Sequence, residues 1–423
     1  MRRALLPALV LLSLSLGGMP ALAEPVPAVP APGDAVVVTA AVRTPDGGLV
    51  FRSRPASSAA RGEALADRWD DDRGVVAADV GHRVTAAAVD RYRPLQWGLD
   101  TLHAEQSWTT ATGTGVVVAV VDTGVQGDHP DLVGQVLPPI DLVEPSATRT
   151  VSIDPNGHGT HVAGIVAAAT GNGIGVAGLA PGARVLPVRV LDADGSGYDD
   201  DVAEGVVRAV DAGAQVVNLS LGGPEQSDLL EAAVQYALAH GVVVVSAAGN
   251  EGLTGSPVEY PAATPGVLAV GATDSADQLA SFSSTGSFVD LVAPGVSIAS
   301  TGNGGQYWYL DGTSMAAPFV SASAALLLSA HVPAAQVAQR LQETARDLGA
   351  PGRDDRFGSG LVDVVAALRP VPATTAPAVL APVSAPVSVP GTSPVAAPVS
   401  APVLPPAPRS STCRSAARSR ATC

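Results

Sequence analysis

Short apolar runs that alternate with helical segments constrain the fold of this chain more than any other feature. Five runs are rich in β-branched residues, as strands buried on both faces are, and these are Val116–Val121, Arg184–Val190, Val216–Leu219, Val242–Ser246 and Val267–Gly271. The segments with helical character are Gly159–Ala168, Asp199–Ala212, Ser227–His240, Met315–Ser329 and Pro333–Leu348. This alternation predicts an α/β fold with a three-layer, mostly parallel, doubly wound sheet. Such sheets place their sites where strands end, and Asp122, Asn218 and Asn250 stand at or just past predicted strand ends.

The start of the 423-residue chain has the composition of a targeting segment. Residues 1–23 combine two arginines, an apolar run and the small-residue stretch Ala21-Leu22-Ala23, which is typical of a secretory signal peptide. The apolar run is short for a bilayer, so a membrane anchor is the less favoured alternative, and we expect no membrane span elsewhere. The sequence therefore predicts a secreted, extracellular protein.

Residues 24–90 are expected to form a loose leader and a small α+β unit, ahead of a main domain at residues 91–369. The predicted elements of the unit are strands at Ala35–Thr39, Val75–Ala78 and Arg83–Ala86 and a helix at Ser57–Asp70. A spacer without a function of its own is the alternative.

Residues 370–423 differ abruptly from the rest, because Pro, Ala, Val and Ser dominate as far as Pro408. A tract of this composition cannot bury a core and is predicted to be a disordered, extended tail. Its end carries four arginines and no acid, which would suit an anionic cell-wall polymer; a solvated end without a partner is the alternative. The two cysteines of the chain, Cys413 and Cys423, lie in this tail. The main domain therefore has no disulfide and no cysteine chemistry.

The charge of the chain bears on its partners. The formal net charge is −15, and every basic side chain is an arginine. An acidic surface argues against nucleic acid as a partner.

A serine at the start of a predicted helix is the first candidate for chemistry. Gly312-Thr313-Ser314 precedes an apolar helical run, and the first turn of a helix has unpaired N–H groups that stabilise a developing oxyanion. By itself such a serine is most often an ordinary helix cap. Two further stretches favour the nucleophile: the run that ends in Asp122-Thr123-Gly124, and the segment Asn156-Gly157-His158-Gly159-Thr160-His161.

These motifs, in the order Asp, His, Ser, resemble those of the subtilases, a family of serine endopeptidases. A fourth stretch, Ser246-Ala247-Ala248-Gly249-Asn250, is similar to the family's oxyanion-hole segment, and the similarity runs from about Gln96 to about Ala367. The resemblance implies a subtilisin-like fold and hydrolysis of peptide bonds through an acyl-enzyme. It also implies that residues 24–90 are a prosegment, which acts as folding template and inhibitor. We expect a monomer whose substrate is a protein or peptide.

The resemblance assigns a role to each motif residue. Ser314 is the expected nucleophile, His158 its base, and Asp122 the group that fixes the histidine tautomer. Asn250 is expected to donate its side-chain amide to the oxyanion, together with the Ser314 backbone N–H. His161 is expected to be a structural residue.

The substrate pocket is assigned in the same way. The wall residues implied by the family are Ser220, Leu221 and Gly222 on one side and Ala247, Ala248 and Gly249 on the other. Glu259 would stand at the base of the pocket, where a carboxylate would favour arginine or lysine before the scissile bond. The alternative, in which Glu259 turns to solvent and the pocket is apolar, stays open.

A structural Ca²⁺ ion is the expected cofactor. Asp131 and Asn172 match ligand positions of the family, and the carbonyl oxygens of Ala169, Ile174 and Val176 would complete a hard-oxygen shell. A polar surface turn without metal is the alternative.

Two competing functions are weighed against the subtilase interpretation. An aspartic protease would need a second Asp-Thr-Gly or Asp-Ser-Gly beside the one at Asp122, and the sequence contains none. A catalytically inactive subtilase that serves as a secreted binding protein would lack a triad or oxyanion residue, and all four are present.

Overall fold

The computed structural model describes residues 36–44, 49–70, 75–80, 89–145, 151–370 and 420–422. The predicted signal peptide, the leader, the strand expected at Arg83–Ala86 and both cysteines lie outside the described residues.

A small α+β unit comes first in the chain. Strand β1 (Val36–Arg43) lies between β2 (Leu49–Ala56) and β3 (Val75–Val80), and both pairings are antiparallel. Helix α1 (Ala59–Asp70) packs on this sheet. Strand β2 was not predicted, because the described side chains from residue 50 to 55 are exposed and show no alternation of buried and exposed positions.

The main domain is built on a seven-stranded sheet in which every pairing is parallel. Its strands in chain order are β4 (Val117–Asp122), β5 (Ile140–Asp141), β6 (Arg184–Arg189), β8 (Val216–Leu219), β9 (Val243–Ala247), β10 (Leu268–Thr273) and β11 (Leu291–Pro294). Their order across the sheet is β11-β10-β9-β8-β4-β6-β5. The short strands outside this sheet are β7 (Ser196–Tyr198), β12 (Ile298–Gly302), β13 (Gln306–Leu310) and β14 (Arg420–Thr422).

Helices cover both faces of the central sheet. They are α2 (Trp97–Thr101), α3 (Ala104–Trp108), α4 (His158–Ala167), α5 (Asp199–Asp211), α6 (Asp228–Ala239), α7 (Thr313–Ser329), α8 (Ala334–Glu343) and α9 (Val364–Leu368). Side chains of β4 alternate between two cores: Val118 and Val120 pack with α4 and α7, whereas Ala119 and Val121 pack with α5 and α6. The structure therefore confirms the three-layer, doubly wound α/β fold.

Local composition explains where two of the helices begin. Helix α5 starts with three aspartates, which favour the positive end of the helix dipole. Helix α6 is capped by Ser227, whose Oγ accepts a hydrogen bond from the Leu230 N–H.

Two predictions at the chain's C-terminal side need correction. The helix expected over Pro333–Leu348 ends at Glu343, because the backbone of Arg346 pairs instead with that of Leu361. The tail was expected to be without structure, but β14 pairs antiparallel with β7. Strands β14 and β7 pair through their backbone N–H and C=O groups, and this pairing does not require alternating apolar side chains. The sequence therefore contained no pattern from which β14 could be predicted.

The sequence also missed several strands of the main domain. Strand β5 has only two residues, and the antiparallel pair β12–β13 follows β11 almost without a break.

Within the described part of the chain, no helix combines the length and the apolar character that crossing a membrane requires.

Candidate active site

A buried carboxylate and a histidine meet at the carboxyl end of β4. Nδ1 of His158 lies 2.8 Å from Oδ1 and 3.0 Å from Oδ2 of Asp122. Asp122 is fully buried and also accepts the N–H of Thr123. Close approach depends on Gly159, since a Cβ there would lie 3.1 Å from Oδ1 of Asp122 and 2.1 Å from the Gly124 carbonyl oxygen. The pair can therefore orient the imidazole and stabilise it when protonated.

Asp154, which sequence reasoning missed, holds the start of α4 in place. Its carboxylate accepts hydrogen bonds from the backbone N–H groups of Asn156, Gly157 and Thr160 and from the Thr160 hydroxyl. It also accepts from the hydroxyl of Thr123. One buried carboxylate thus joins the residue after Asp122 to the turn before His158. The Asp154-Pro155-Asn156-Gly157 turn was the sequence signal that could have identified it.

Ser314 is the second residue of α7 and is only 5% exposed. Its Oγ donates to the Ser220 carbonyl at 3.2 Å, and its own carbonyl accepts from the Ser220 hydroxyl at 2.8 Å. The Asn218 amide donates to that same hydroxyl. The end of β8 is therefore tied to the first turn of α7 by two buried side-chain hydrogen bonds, and the bond from Asn218 holds the Ser220 hydroxyl in place.

Asn250 follows β9, and Thr313 fixes its side chain. Oδ1 of Asn250 accepts from both the backbone N–H and the hydroxyl of Thr313, at 2.9 and 3.0 Å. The Thr313 hydroxyl in turn accepts from the Gly249 N–H. With its oxygen bound in this way, the asparagine has its Nδ2 group available as a donor beside Ser314. Thr313 was not singled out by the sequence, although it lies within the serine motif.

A cleft of about 240 Å³ lies against Ser314 and Asn250. The predicted wall residues that line it are Leu221, Gly222, Ala247, Gly249 and Glu259. Ser220 and Ala248, also predicted, are fully buried and do not line it. Glu251 lines the cleft as well and was not predicted. Glu259 is 9% exposed, so it does not turn to solvent.

The second histidine of the histidine motif has no direct place in this site. His161 is fully buried, and its Nε2 lies 3.0 Å from the Ile298 carbonyl and 3.2 Å from that of Trp308. Burial, aided by the nearby His158, lowers its pKa to about 3. It is therefore neutral and structural, as the sequence predicted.

The residues expected to bind calcium come together at one loop. The buried Asp131 accepts from the Asn172 amide and the Val176 N–H, both at 2.8 Å, and its main-chain carbonyl accepts from the Ala169 N–H. The Ile174 N–H donates to the Asn172 side-chain oxygen. Burial raises the pKa of Asp131 to about 6.

The donor chemistry of this loop suits Ca²⁺, which prefers carboxylate, amide and carbonyl oxygens. In this structure, however, N–H donors occupy both carboxylate oxygens of Asp131. Asp90, not predicted, accepts the N–H groups of Gly171, Asn172 and Gly173. The described residues contain no group of three or more His, Cys, Asp or Glu side chains placed to hold a metal.

Comparison with known proteins agrees with this geometry. The model of the subtilase family matches residues 113–360, more than half of the chain. The chain belongs to the subtilase family. This subtilase is 46% identical over 257 residues to thermitase of Thermoactinomyces vulgaris, covering 61% of this chain and 90% of that one. It is 48% identical over 260 residues to a subtilisin of Bacillus pumilus, with 60% and 92% covered.

Two further comparisons set the extent of the similarity. This subtilase is 45% identical over 268 residues to a thermophilic serine proteinase of Bacillus sp. strain AK1, covering 63% of this chain but only 66% of that one. Among solved structures, a protease of Pseudoalteromonas arctica PAMC 21717 superposes with a TM-score of 0.59 at 33% identity, over 67% of this chain and 99% of that one. This subtilase is a serine-type endopeptidase.

Proposed function

We propose that this subtilase is a secreted endopeptidase that cleaves peptide bonds through an acyl-enzyme on Ser314. The observation that carries the proposal is the hydrogen-bonded pair of buried Asp122 and His158, in the same domain as a cleft lined by Ser314 and Asn250. Asp122 pairs with a histidine and not with a second aspartate, which again speaks against an aspartic-protease mechanism.

Each side chain has a defined role in the proposed reaction. Nε2 of His158 takes the Ser314 proton as Oγ attacks the carbonyl carbon, and Asp122 holds the Nδ1–H and stabilises the imidazolium. The proton then passes from His158 to the leaving amine. Water, activated by the same histidine, hydrolyses the ester and restores the serine.

The oxyanion of the tetrahedral intermediate would accept hydrogen bonds from Nδ2 of Asn250 and the backbone N–H of Ser314. Support comes from Thr313, which engages the oxygen of the Asn250 amide and so leaves its nitrogen as the free donor. The positive end of the 17-residue helix α7 acts in the same direction.

Labelling with a serine-directed reagent tests the function. Phenylmethylsulfonyl fluoride should abolish peptide hydrolysis and add its mass to the peptide that contains Ser314, whereas pepstatin should have no effect. Ser314→Ala should remove both hydrolysis and labelling. A Ser314→Ala protein with full activity would refute the nucleophile, and a native protein without hydrolytic activity would favour the binding-protein alternative.

We also propose that the loop around Asp131 binds a structural Ca²⁺ ion. The side-chain oxygens of Asp131 and Asn172 and the carbonyls of Ala169, Ile174 and Val176 would hold it, and the ion would cross-link segments distant in sequence. Because binding to the folded state alone stabilises it, the melting temperature should rise with Ca²⁺ concentration and fall with a chelator. Asp131→Asn should abolish this response. A melting temperature insensitive to both additions would mean that hydrogen bonds alone hold the loop.

The N-terminal segments complete the proposal. Residues 1–23 would direct secretion, and residues 24–90 would act as the prosegment that inhibits the enzyme until it is removed. Exposed apolar side chains on the small unit, Val50, Phe51 and Val76, support a docking role for it. The basic end of the tail would bind a cell-wall polymer, which co-sedimentation with purified cell walls can test.

A further inference from the structure

Two carboxyl groups lie together in the cleft beside Ser314. An ideal Cβ on Gly249 would lie 2.8 Å from Oε2 of Glu251, 2.8 Å from Cδ of Glu259 and 2.9 Å from its Oε2. One on Gly222, in the opposite wall, would lie 3.0 Å from Oε2 of Glu259. The Glu259 carboxyl therefore stands between two walls that are bare backbone, with Glu251 beside it.

No cation in the described part of the chain offsets this pair. Among the described residues, neither Glu251 nor Glu259 forms an ion pair, and the Ser284 hydroxyl, 3.3 Å from Oε2 of Glu251, is the side-chain donor that reaches them. The segment after β8 and the first turn of α7 contribute only uncharged residues to the cleft. Burying a carboxylate without a cationic partner costs desolvation free energy, unless the group holds a proton or a cation binds beside it.

A proton on Glu259 offsets the burial of this pair. Burial, followed by the hydrogen bond to Glu251 and its negative charge, raises the pKa of Glu259 to about 8. Near neutral pH Glu259 therefore holds a proton and shares it with Glu251 through their hydrogen bond.

We propose that Glu251 and Glu259 together form a receptor for the cationic side chain of the residue that precedes the scissile bond. The proposal rests on the proposed function, since the cleft receives this side chain only if Ser314 is the nucleophile. A guanidinium can donate two parallel hydrogen bonds to one carboxylate and a further one to the other. As it enters, the shared proton leaves to solvent, because the cation replaces it as the group that neutralises the pair.

Hydrolysis of matched peptides tests the receptor. Peptides that differ only in arginine, citrulline or leucine before the scissile bond are compared by kcat/KM, and citrulline keeps the shape of arginine without its charge. We expect arginine to exceed both by ~10- to 150-fold, the range of a charged hydrogen bond. Arginine stays charged throughout, so its advantage should grow as pH rises through about 8, where Glu259 loses its proton.

Three variants assign the effect to residues. Glu259→Gln should remove most of the arginine advantage and its rise with pH. Glu251→Gln should reduce the advantage and move the rise to lower pH, because a neighbouring negative charge is gone. Glu225→Gln removes the same charge from an exposed position next to the cleft residue Pro224, and it should leave the ratio of arginine to citrulline unchanged.

Binding to an inactive protein keeps the test independent of catalysis. Product peptides that end in arginine or citrulline are titrated into Ser314→Ala protein by calorimetry, in two buffers of different ionisation enthalpy. Near pH 7 the arginine peptide should bind more tightly and release a proton, and Glu259→Gln should abolish the proton release and remove most of the difference in affinity. Equal binding of the two peptides, or an equal effect of Glu225→Gln, would overturn the receptor. If leucine peptides were cleaved as well as arginine peptides, the receptor would be overturned and the proposed endopeptidase function would stand.

Discussion

Thr313 is the residue on which the orientation of the proposed oxyanion donor, the Asn250 amide, depends. Its hydroxyl accepts from the Gly249 N–H and donates to the Asn250 side-chain oxygen. One oxygen atom at the start of α7 therefore holds two neighbouring residues of the segment that follows β9. A small displacement of the amide nitrogen would weaken its bond to the oxyanion, where charge develops only in the transition state.

Thr313→Val removes this hydroxyl while it preserves the shape of the side chain. We expect kcat to fall by ~10- to 100-fold with KM nearly unchanged, because the lost interaction acts in the transition state. Asn250→Ala should cost more, on the ~10²–10³ scale that is established for the oxyanion-hole asparagine of a subtilisin. Thr313→Ser restores the hydroxyl and should recover kcat. If Thr313→Val raised KM and left kcat unchanged, the positioning role would be contradicted.

Glu259 should also make stability depend on pH. Its pKa is about 8 in the folded protein against 4.5 as the ordinary value, so the folded state holds a proton that the unfolded state has already lost between these values. The contribution of Glu259 to stability is thus complete below about pH 4.5 and is lost as pH rises to about 8. In a Ser314→Ala background, Glu259→Gln should match the parent in melting temperature at acidic pH and exceed it in alkaline solution. Parallel melting curves at every pH would contradict the shared proton.

Individual residues differ in whether their role can be predicted from the sequence. Asp122, His158, Asn250 and Ser314 could be proposed from the sequence because each lies in a contiguous motif with its own glycines or small neighbours. Asp154, Thr313 and Glu251 act through partners 31, 63 and 8 positions away. Such partners become visible only when the fold brings the segments together.

At the scale of elements, a proline inside α7 explains the link between that helix and β8. Pro318 has no N–H, so the Ser314 carbonyl four residues earlier lacks the helical donor it would otherwise have. The Ser220 hydroxyl donates to that carbonyl instead, and the Asn218 amide donates to the hydroxyl. The strand therefore completes the hydrogen bonding of the helix that carries the proposed nucleophile.

A double-mutant cycle measures this exchange of donors. Ser220→Ala should destabilise the protein by ~1–3 kcal/mol, because it leaves a buried carbonyl and a buried amide without their partner. In a Pro318→Ala protein, where residue 318 can donate to the Ser314 carbonyl, the same substitution should cost less by ~1 kcal/mol. Ser323→Ala, which removes a hydroxyl bound within the helix to the Phe319 carbonyl, is the control and should not couple to Pro318. An equal cost of Ser220→Ala in both backgrounds would exclude the compensation.

The elements that sequence predicted are those with a long, repeated pattern. The five buried strands and four of the five helices were placed within about two residues of their bounds. Strands β5, β7, β11 and β12–β13 were not predicted because they are short or follow another strand directly. The end of α8 was misplaced because a distant backbone pairing terminates it.

At the scale of the molecule, the alternation of strands and helices was sufficient to predict the doubly wound architecture, whereas it left the order of the strands in the sheet open. That order follows from which helices cross each face, and this depends on packing between residues far apart in sequence. Asp122, Asn218 and Asn250 lie where the sequence placed them, at or near the carboxyl ends of β4, β8 and β9.

The N-terminal end of the main domain is tied to the loop around Asp131. The Tyr92 N–H donates to the Gly175 carbonyl, and the Gln96 side chain pairs with both backbone groups of Ala177. Asp90 accepts from three consecutive N–H groups of the loop. A cut after Asp90 would remove that carboxylate and leave these donors without it, so the mature protein should begin before it.

We therefore expect the enzyme to remove its own N-terminal unit by a cut between about Arg83 and Asp90, which N-terminal sequencing of the secreted protein can locate. A Ser314→Ala precursor, produced without other proteases, should stay uncut because it lacks the nucleophile. Added native enzyme should then cleave it at the same bond, which shows that the bond itself remains accessible. Asp90→Ala in the active enzyme should still be processed but should melt at a lower temperature, since the loop loses its carboxylate. Normal maturation of the Ser314→Ala precursor by itself would show that the enzyme does not process its own chain.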